Sequence, residues 1–156
     1  HGSPTSTPAS TSADESRGVT DDDLEALRSM LGGFRLPLRR LRAFTIGGVP
    51  RAKMRPRQNT KTGHMYVPKE ERLAVKATRE VLEGSWIPRD LGRLAVACVF
   101  VRPDHHRVDL DNLEKFLLDS ANGILWRDDS QIVALAASIH VDRRQPRTAF
   151  AIASIP

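Results

Sequence analysis

The chain has 156 residues, a single cysteine and no apolar run near the ~20 residues of a membrane span. Lysine and arginine exceed aspartate and glutamate by 24 − 19 = 5, an excess that suits a polyanionic partner. One cysteine excludes a disulfide framework and a cysteine-based zinc site. The length suits one domain with a real core, and with no visible signal peptide the cytoplasm is the expected compartment.

Residues 1–18 are Ser, Thr, Pro, Gly, Ala and a few charges. They carry almost nothing to bury and are predicted to be a disordered tail. The chain starts His1-Gly2-Ser3, which makes His1 a poor ligand candidate. A short helix is predicted over residues 19–34. Thr20 can cap it, Asp23 sits at its third position, and Leu24, Leu27, Met30 and Leu31 form its stripe. Asp21, Asp22 and Asp23 favour the positive end of the helix dipole, a sufficient reason for the acid run without a metal.

Nine basic residues follow between Arg35 and Lys61, with no acid among them. A solvated face is the bland reading, but an uncompensated cluster repels itself unless a polyanion is near. Arg42 to Gly48 alternates as a strand, and Gly47-Gly48-Val49-Pro50 breaks it. Arg51 to Gly63 reads as a mobile basic loop that leads to a short strand, His64 to Val67. Arg51, Lys53, Arg55, Arg57 and Lys61 are the candidates for gripping phosphate. Tyr66 can stack on a base or simply pack.

Pro68 suits the first position of a helix that continues from Lys69 to Glu83, with Leu73, Ala74, Ala77 and Val81 as its apolar stripe. Trp86 and Pro88 fall in a connection. Arg93 to Val101 is apolar on both alternating sides, which marks a central strand covered on each face. Cys98 lies inside it as a small buried hydrophobe. His105 and His106 point apart in extended chain and have no second pair at ligand spacing, so they read as exposed or phosphate-contacting.

Acids then gather around one short helix. Leu113, Phe116, Leu117 and Ser120 share a face, so a helix is predicted from about Asn112 to about Asn122. Asp111 is its expected N-cap, Glu114 makes a capping-box-like pattern, and Gly123 follows as the C′ residue. Asp109 and Asp111 stand two apart on the extended approach and can reach one point. Lys115 lies one turn on. Asp128 and Asp129 can return to the same region if the next strand lies beside the first. Such a set suits a hard divalent cation, with Mg²⁺ the natural choice. Each member also has a plain structural use: Asp111 as a cap, Asp128-Asp129 as a turn, Lys115 as a solvated residue or a partner of Asp111. Gln131 to Val141 and Arg147 to Ile155 read as two last strands, joined by a turn with Arg143, Arg144 and Pro146. The predicted fold is α+β, a mixed β-sheet with helices packed on it.

Several of these residues carry a resemblance. Asp109-Leu110-Asp111-Asn112-Leu113, Lys115, Leu118-Asp119, Asn122-Gly123 and Asp128-Asp129-Ser130-Gln131 form one block. Gly48-Val49-Pro50, Lys53, Arg55-Pro56-Arg57, Gly63, Tyr66 and Pro68 form another. In this order and spacing the chain resembles the RusA-like Holliday junction resolvases, endodeoxyribonucleases common in phages and prophages. The likeness spans roughly residues 43–141.

The resemblance implies a nuclease domain over residues 35–156 that works as a symmetric homodimer on branched DNA, the four-way junction, in recombination and repair. It implies Asp109, Asp111 and Asp129 as catalytic acids holding Mg²⁺, with Mn²⁺ as a substitute, and Lys115 as a required lysine. Asp128 is a further candidate ligand, and Asp119 a residue that orients a neighbour. Where members often carry an acid and a later lysine, this chain has Ala134 and His140. Two other classes stay open: a non-catalytic DNA-binding module using the basic 35–61 surface, and another phosphoryl enzyme such as a nucleotidyltransferase. The latter would need a Gly-rich nucleotide element that the sequence lacks.

Overall fold

The structure, a computed structural model, describes residues 15–84 and 92–156. Its elements in order are β1 (Glu15–Arg17), α1 (Asp21–Gly33), β2 (Arg39–Gly47), β3 (Arg57–Gln58), β4 (Met65–Tyr66), α2 (Lys69–Glu83), β5 (Arg93–Arg102), α3 (Leu110–Ala121), a 3₁₀ turn (Asp129–Gln131), β6 (Ile132–Val141) and β7 (Arg147–Ile155). One five-stranded sheet has the order β1-β2-β7-β5-β6, and β3 and β4 form a separate hairpin. β6 pairs with β5 in parallel, while β7 runs antiparallel to both β5 and β2. The fold is therefore α+β with a mixed sheet, as expected. Most of the predicted tail, residues 1–14, and the connection with Trp86 and Pro88 lie outside the described residues. The tail's last residues depart from expectation: Glu15–Arg17 pair with Arg42–Phe44 as a parallel edge strand.

β5 is central because both its faces are apolar. Leu94, Val96, Cys98 and Phe100 pack into one core with Leu113, Leu117 and Trp126. Ala95, Ala97, Val99 and Val101 face Leu27 and Leu31 of α1 in a second core. Alanine dominates this second face on β7 as well, at Ala149, Ala151 and Ala153. Short side chains there let α1 approach the sheet closely, and tight packing of this kind makes added volume costly. Burial pushes the Cys98 thiol far up, which keeps it neutral and unreactive.

Two helices differ in detail from the sequence reading. In α2 Pro68 is the N-cap rather than the first helical residue, and its ring is buried. The buried residues of α2 are Glu71 and Leu82, whereas Leu73 and Val81 are more than half exposed and Ala77 is exposed. The helix is rotated to lay its Thr78–Arg79 side toward α3, where Arg79 Nη1 donates to the carbonyls of Ser120 (3.2 Å) and Asn122 (2.8 Å). A cation at the C-terminus of α3 satisfies orphan carbonyls and favours the dipole. In α3 the N-cap is Asp109, so Asp111 stands in the first turn and no capping box forms. The predicted stripe of Leu113, Phe116, Leu117 and Ser120 is buried.

α1 begins as predicted, with Thr20 Oγ1 accepting from the Asp23 amide at 3.1 Å. The Asp23 side chain has a second role that sequence reading missed. It is buried and takes a two-pronged contact from Arg147, at 2.6 Å from Nε and 2.9 Å from Nη2. Arg147 also donates to Asp142 at 3.3 Å, and these partners raise the guanidinium pKa further. This pair ties α1 to the start of β7. Removing Asp23 takes from the part-buried Arg147 its two-pronged partner. Asp23→Ala is expected to lower stability by about 2–3 kcal/mol, because Asp142 remains as a half-exposed partner. Urea denaturation checks this, and an unchanged midpoint at unchanged slope would show that the pair contributes nothing.

Candidate active site

α3 is the scaffold of the acidic site. The chain leaves β5 at Arg102, and Asp109 caps the helix with extended dihedrals (φ −82°, ψ 123°). Asn112 Nδ2 lies 3.4 Å from Asp109 Oδ2. Asp111, one step into the first turn, receives the Lys115 ammonium at 3.0 Å. Both side chains are exposed. Lys115 is the first cause that holds the Asp111 carboxyl below the usual range. Glu114, on the same turn, is shifted up by partial burial and by the charge of Asp111. The site thus opens on two exposed carboxylates, and the Lys115 ammonium lies against that of Asp111.

Asp128 and Asp129 are placed elsewhere. β5 and β6 are parallel, with Leu94 opposite Ile132, so the start of β6 lies at the start of β5. Gln131 Nε2 donates to the Gly92 carbonyl at 2.8 Å, which pins the turn there. α3, with its 12 residues, separates this turn from Asp109 by about 18 Å of helix at about 1.5 Å per residue. The expected return of Asp128 and Asp129 to the Asp109–Asp111 region does not occur within one chain. The next strand does lie beside the first, but parallel pairing puts the two acid groups at opposite ends. Asp128 caps the 3₁₀ turn, and the hydroxyl and amide of Ser130 hold its carboxyl below the usual range. Asp129 Oδ1 accepts from the buried Trp126 indole at 2.6 Å. That clamp, three residues apart in sequence, was not foreseen.

Among the described residues no group of three or more histidine, cysteine or acidic side chains is close enough to hold a metal. Asp109 and Asp111 alone still suit Mg²⁺, which commonly takes one or two carboxylates and keeps water and phosphate oxygen for the rest.

The basic segment meets the site from the α2 side. The Lys53 amide donates to the Asn112 carbonyl at 2.9 Å, which fastens the loop to the first turn of α3. The Lys53 ammonium pairs with Asp119 on the same helix. Arg51 Nε lies 3.8 Å from Oε2 of buried Glu71, whose Oε2 has no hydrogen-bond partner. Arg51 and Lys53 therefore anchor the loop to carboxylates. Arg55, Arg57 and Lys61 are exposed on the loop and hairpin, and Tyr66, 48% exposed, pairs across from Arg57. Asn59 Oδ1 accepts from the amides of Lys61 and Thr62, which shapes the hairpin turn, and Gly63 takes a positive φ of 74° there.

An α+β chain that carries two exposed carboxylates with a lysine, beside a cationic hairpin, has the make-up of a nuclease. The family profile Endodeoxyribonuclease RusA matches residues 47–153, about two thirds of the chain. The chain belongs to the RusA endodeoxyribonuclease family, whose activity is that of Holliday junction resolvases and whose members generally depend on a divalent metal. No curated protein matches the chain significantly. The matched segment begins after α1, so Asp23 and its helix lie outside it while their partner Arg147 lies inside. No helix among the described residues is long and apolar enough to cross a membrane.

The Asp111–Lys115 contact gives a direct titration test. A depressed carboxyl pKa means that the contact stabilises the fold above the unfolded-state pKa, and that this is lost as pH falls through the folded one. In Lys115→Met the Asp111 carboxyl is expected to titrate closer to ~3.9, the free value. Carbon-13 NMR of the carboxyl carbon reads this, and an unmoved midpoint would remove Lys115 from the acid's surroundings.

Proposed function

We propose that the protein is a Mg²⁺-dependent endodeoxyribonuclease that resolves four-way DNA junctions by paired nicks, as a homodimer, in recombination and repair. The observation that carries the reading is the exposed Asp109–Asp111 pair with Lys115 at the N-terminus of α3, next to a cationic arm.

Asp109 and Asp111 would hold the cation. When bound, it neutralises the scissile phosphate and lowers the pKa of coordinated water. Mn²⁺ is a chemically close substitute, since carboxylate and water ligands suit it also. Lys115 rests on Asp111 until that carboxylate turns to other work. Its ammonium would then be free to stabilise the negative charge that develops on the phosphate. Asn112 steadies the Asp109 carboxylate from the same turn. Arg55, Arg57 and Lys61 contribute affinity for the sugar–phosphate backbone, and Tyr66 offers a ring for an unstacked base. Arg51 and Lys53, tied to Glu71 and Asp119, hold the arm at the site.

A homodimer offers a role for the remote acids. β6 has no strand partner on its outer edge among the described residues, and none of its ten residues is buried. Val133, Ile139 and Val141 are 53%, 38% and 36% exposed. Two copies paired antiparallel along this edge would set the Asp128–Asp129 end of one beside the Asp109–Asp111 end of the other. Isologous contacts of this kind repeat one surface on both partners. Two such sites related by a two-fold axis match a junction that must be cut on two opposed strands.

Cleavage of a labelled synthetic four-way junction is expected with Mg²⁺ or Mn²⁺ and absent in excess chelator; full activity in chelator would end the metal reading. Asp111→Asn keeps size and local helix but loses a charged ligand. It should fold and bind junctions at least as tightly as the parent, with cleavage reduced by orders of magnitude. A binding module without catalysis would show no cleavage in the parent either. The composite site has its own test: Asp111→Asn and Asp129→Asn, each inactive alone, should regain nicking when unfolded and refolded together. If the mixture stays inactive while the parent treated likewise recovers, the acids do not act across copies.

A further inference from the structure

The arginines just upstream of Asp109 gain neighbours in the fold that the sequence keeps far from them. Val101 stands opposite His140 and Arg102 opposite Val141, so the loop leaving β5 and the turn leaving β6 emerge side by side. The Asp142 amide donates to the Arg102 carbonyl at 2.8 Å and ties them together. Arg102, His105, His106, Arg107 and His140 line one hollow of about 290 Å³. Arg143 and Arg144 line the next, toward Asp22 and Asp23 of α1. The acids within this group are mostly committed. Asp104 accepts from the His106 amide at 3.0 Å and lies 3.1 Å from its Nδ1. Asp142 accepts from the Arg144 amide at 2.9 Å and from Arg147, and Asp23 is closed by Arg147. Asp22 is exposed at the rim of the hollow that Arg143 and Arg144 line.

We propose that this surface is a second track for a DNA phosphodiester backbone, and that it takes one duplex arm of a branched molecule while the hairpin takes another. The inference rests on the nuclease reading and specifies its substrate recognition. Both tracks end at the first turn of α3. The hairpin arm is fastened there through Lys53 and Asn112, on the side of α2. The second track begins at Arg107 and Val108, just before Asp109, passes the ends of β5 and β6, and continues toward α1 on the other side of the sheet. A straight duplex has one axis and cannot follow two tracks that leave one point on opposite sides. Two arms diverging from a branch can. Arginine suits such a surface, because its fork matches phosphate oxygens and stays charged at any working pH.

The test compares Arg143→Ala/Arg144→Ala with the parent, both as full chains without divalent metal. Binding to a four-way junction and to a linear duplex of equal arm length is measured over a salt series. Junction affinity is expected to fall about tenfold or more, and the slope of log K against log salt to become shallower by about two units, near 0.9 per lost contact. Linear duplex, held by the hairpin, should change less than about twofold by the same reasoning. Arg55→Ala/Arg57→Ala should weaken both substrates. Light scattering must give the variant the parent's mass; if it does not, Arg107→Ala, away from the turn, is read instead with an expected slope change of about one unit. An unchanged junction slope, or equal losses on junction and duplex, overturns the second track while leaving the nuclease reading intact. A parent chain that binds no junction overturns both.

Discussion

Strands that lie parallel cannot be joined by a tight turn, and the chain must travel the length of the first before it can begin the second. Here the return path from Arg102 to Ile132 is α3, and the crossover fixes where the two groups of aspartates, Asp109–Asp111 and Asp128–Asp129, stand. Carboxylates that precede the helix stand at one end of β5, and those that follow it stand at the other. The helix can make the crossing because Leu113, Phe116, Leu117 and Ala121 bury against the sheet. Its ends are held by different means: Asp109 caps the start, and Arg79 binds the carbonyls at the finish. Loosening that packing would move the Asp111–Lys115 pair and the loop fastened to Asn112 together.

The basic residues divide by what they touch. Arg147 is sunk against Asp23 and serves the fold, since a desolvated bidentate pair is costly to break. Lys53 sits on Asp119 at the surface, where an ion pair contributes little stability but fixes direction, and Arg51 reaches in toward buried Glu71. Arg55, Arg57 and Lys61 point into water from a hairpin that stands apart from the main sheet. Their mutual repulsion is relieved only where a polyanion is near. Reading all nine basic residues from Arg35 to Lys61 as one binding surface would miss this division.

The parts of the fold that were legible in sequence are those with a strong period. β5 announced its central place through apolar residues on both sides, and α3 through Leu113, Phe116, Leu117 and Ser120. The Asp111–Lys115 contact was legible because an i, i+4 spacing on a helix brings two side chains together. What could not be read depended on contacts between distant segments. Nothing in residues 19–34 says that Asp23 meets Arg147 across 124 positions. The stripe assigned to Leu73, Ala77 and Val81 failed because the α2 segment offers two apolar sides, and Arg79 and Leu82 decide which faces inward. Asp129 misled for a topological reason: adjacency of two strands does not say which ends meet.

β6 raises the matter of how an edge is protected. Edge strands usually carry charges, proline or bulges that discourage pairing with another chain. Between Ile132 and His140 this strand has no charged residue and no proline, and its register with β5 is regular from Ala95 onward. Such an edge is a hazard if it remains bare. Covered by a second copy of itself, the same plainness becomes complementarity, because an uncharged strand meets no like charge when it is turned end for end. On the proposed reading, the apolar edge and the separated acids are two aspects of one arrangement. The edge supplies the surface for pairing, and the crossover places at its ends the carboxylates that pairing would bring together.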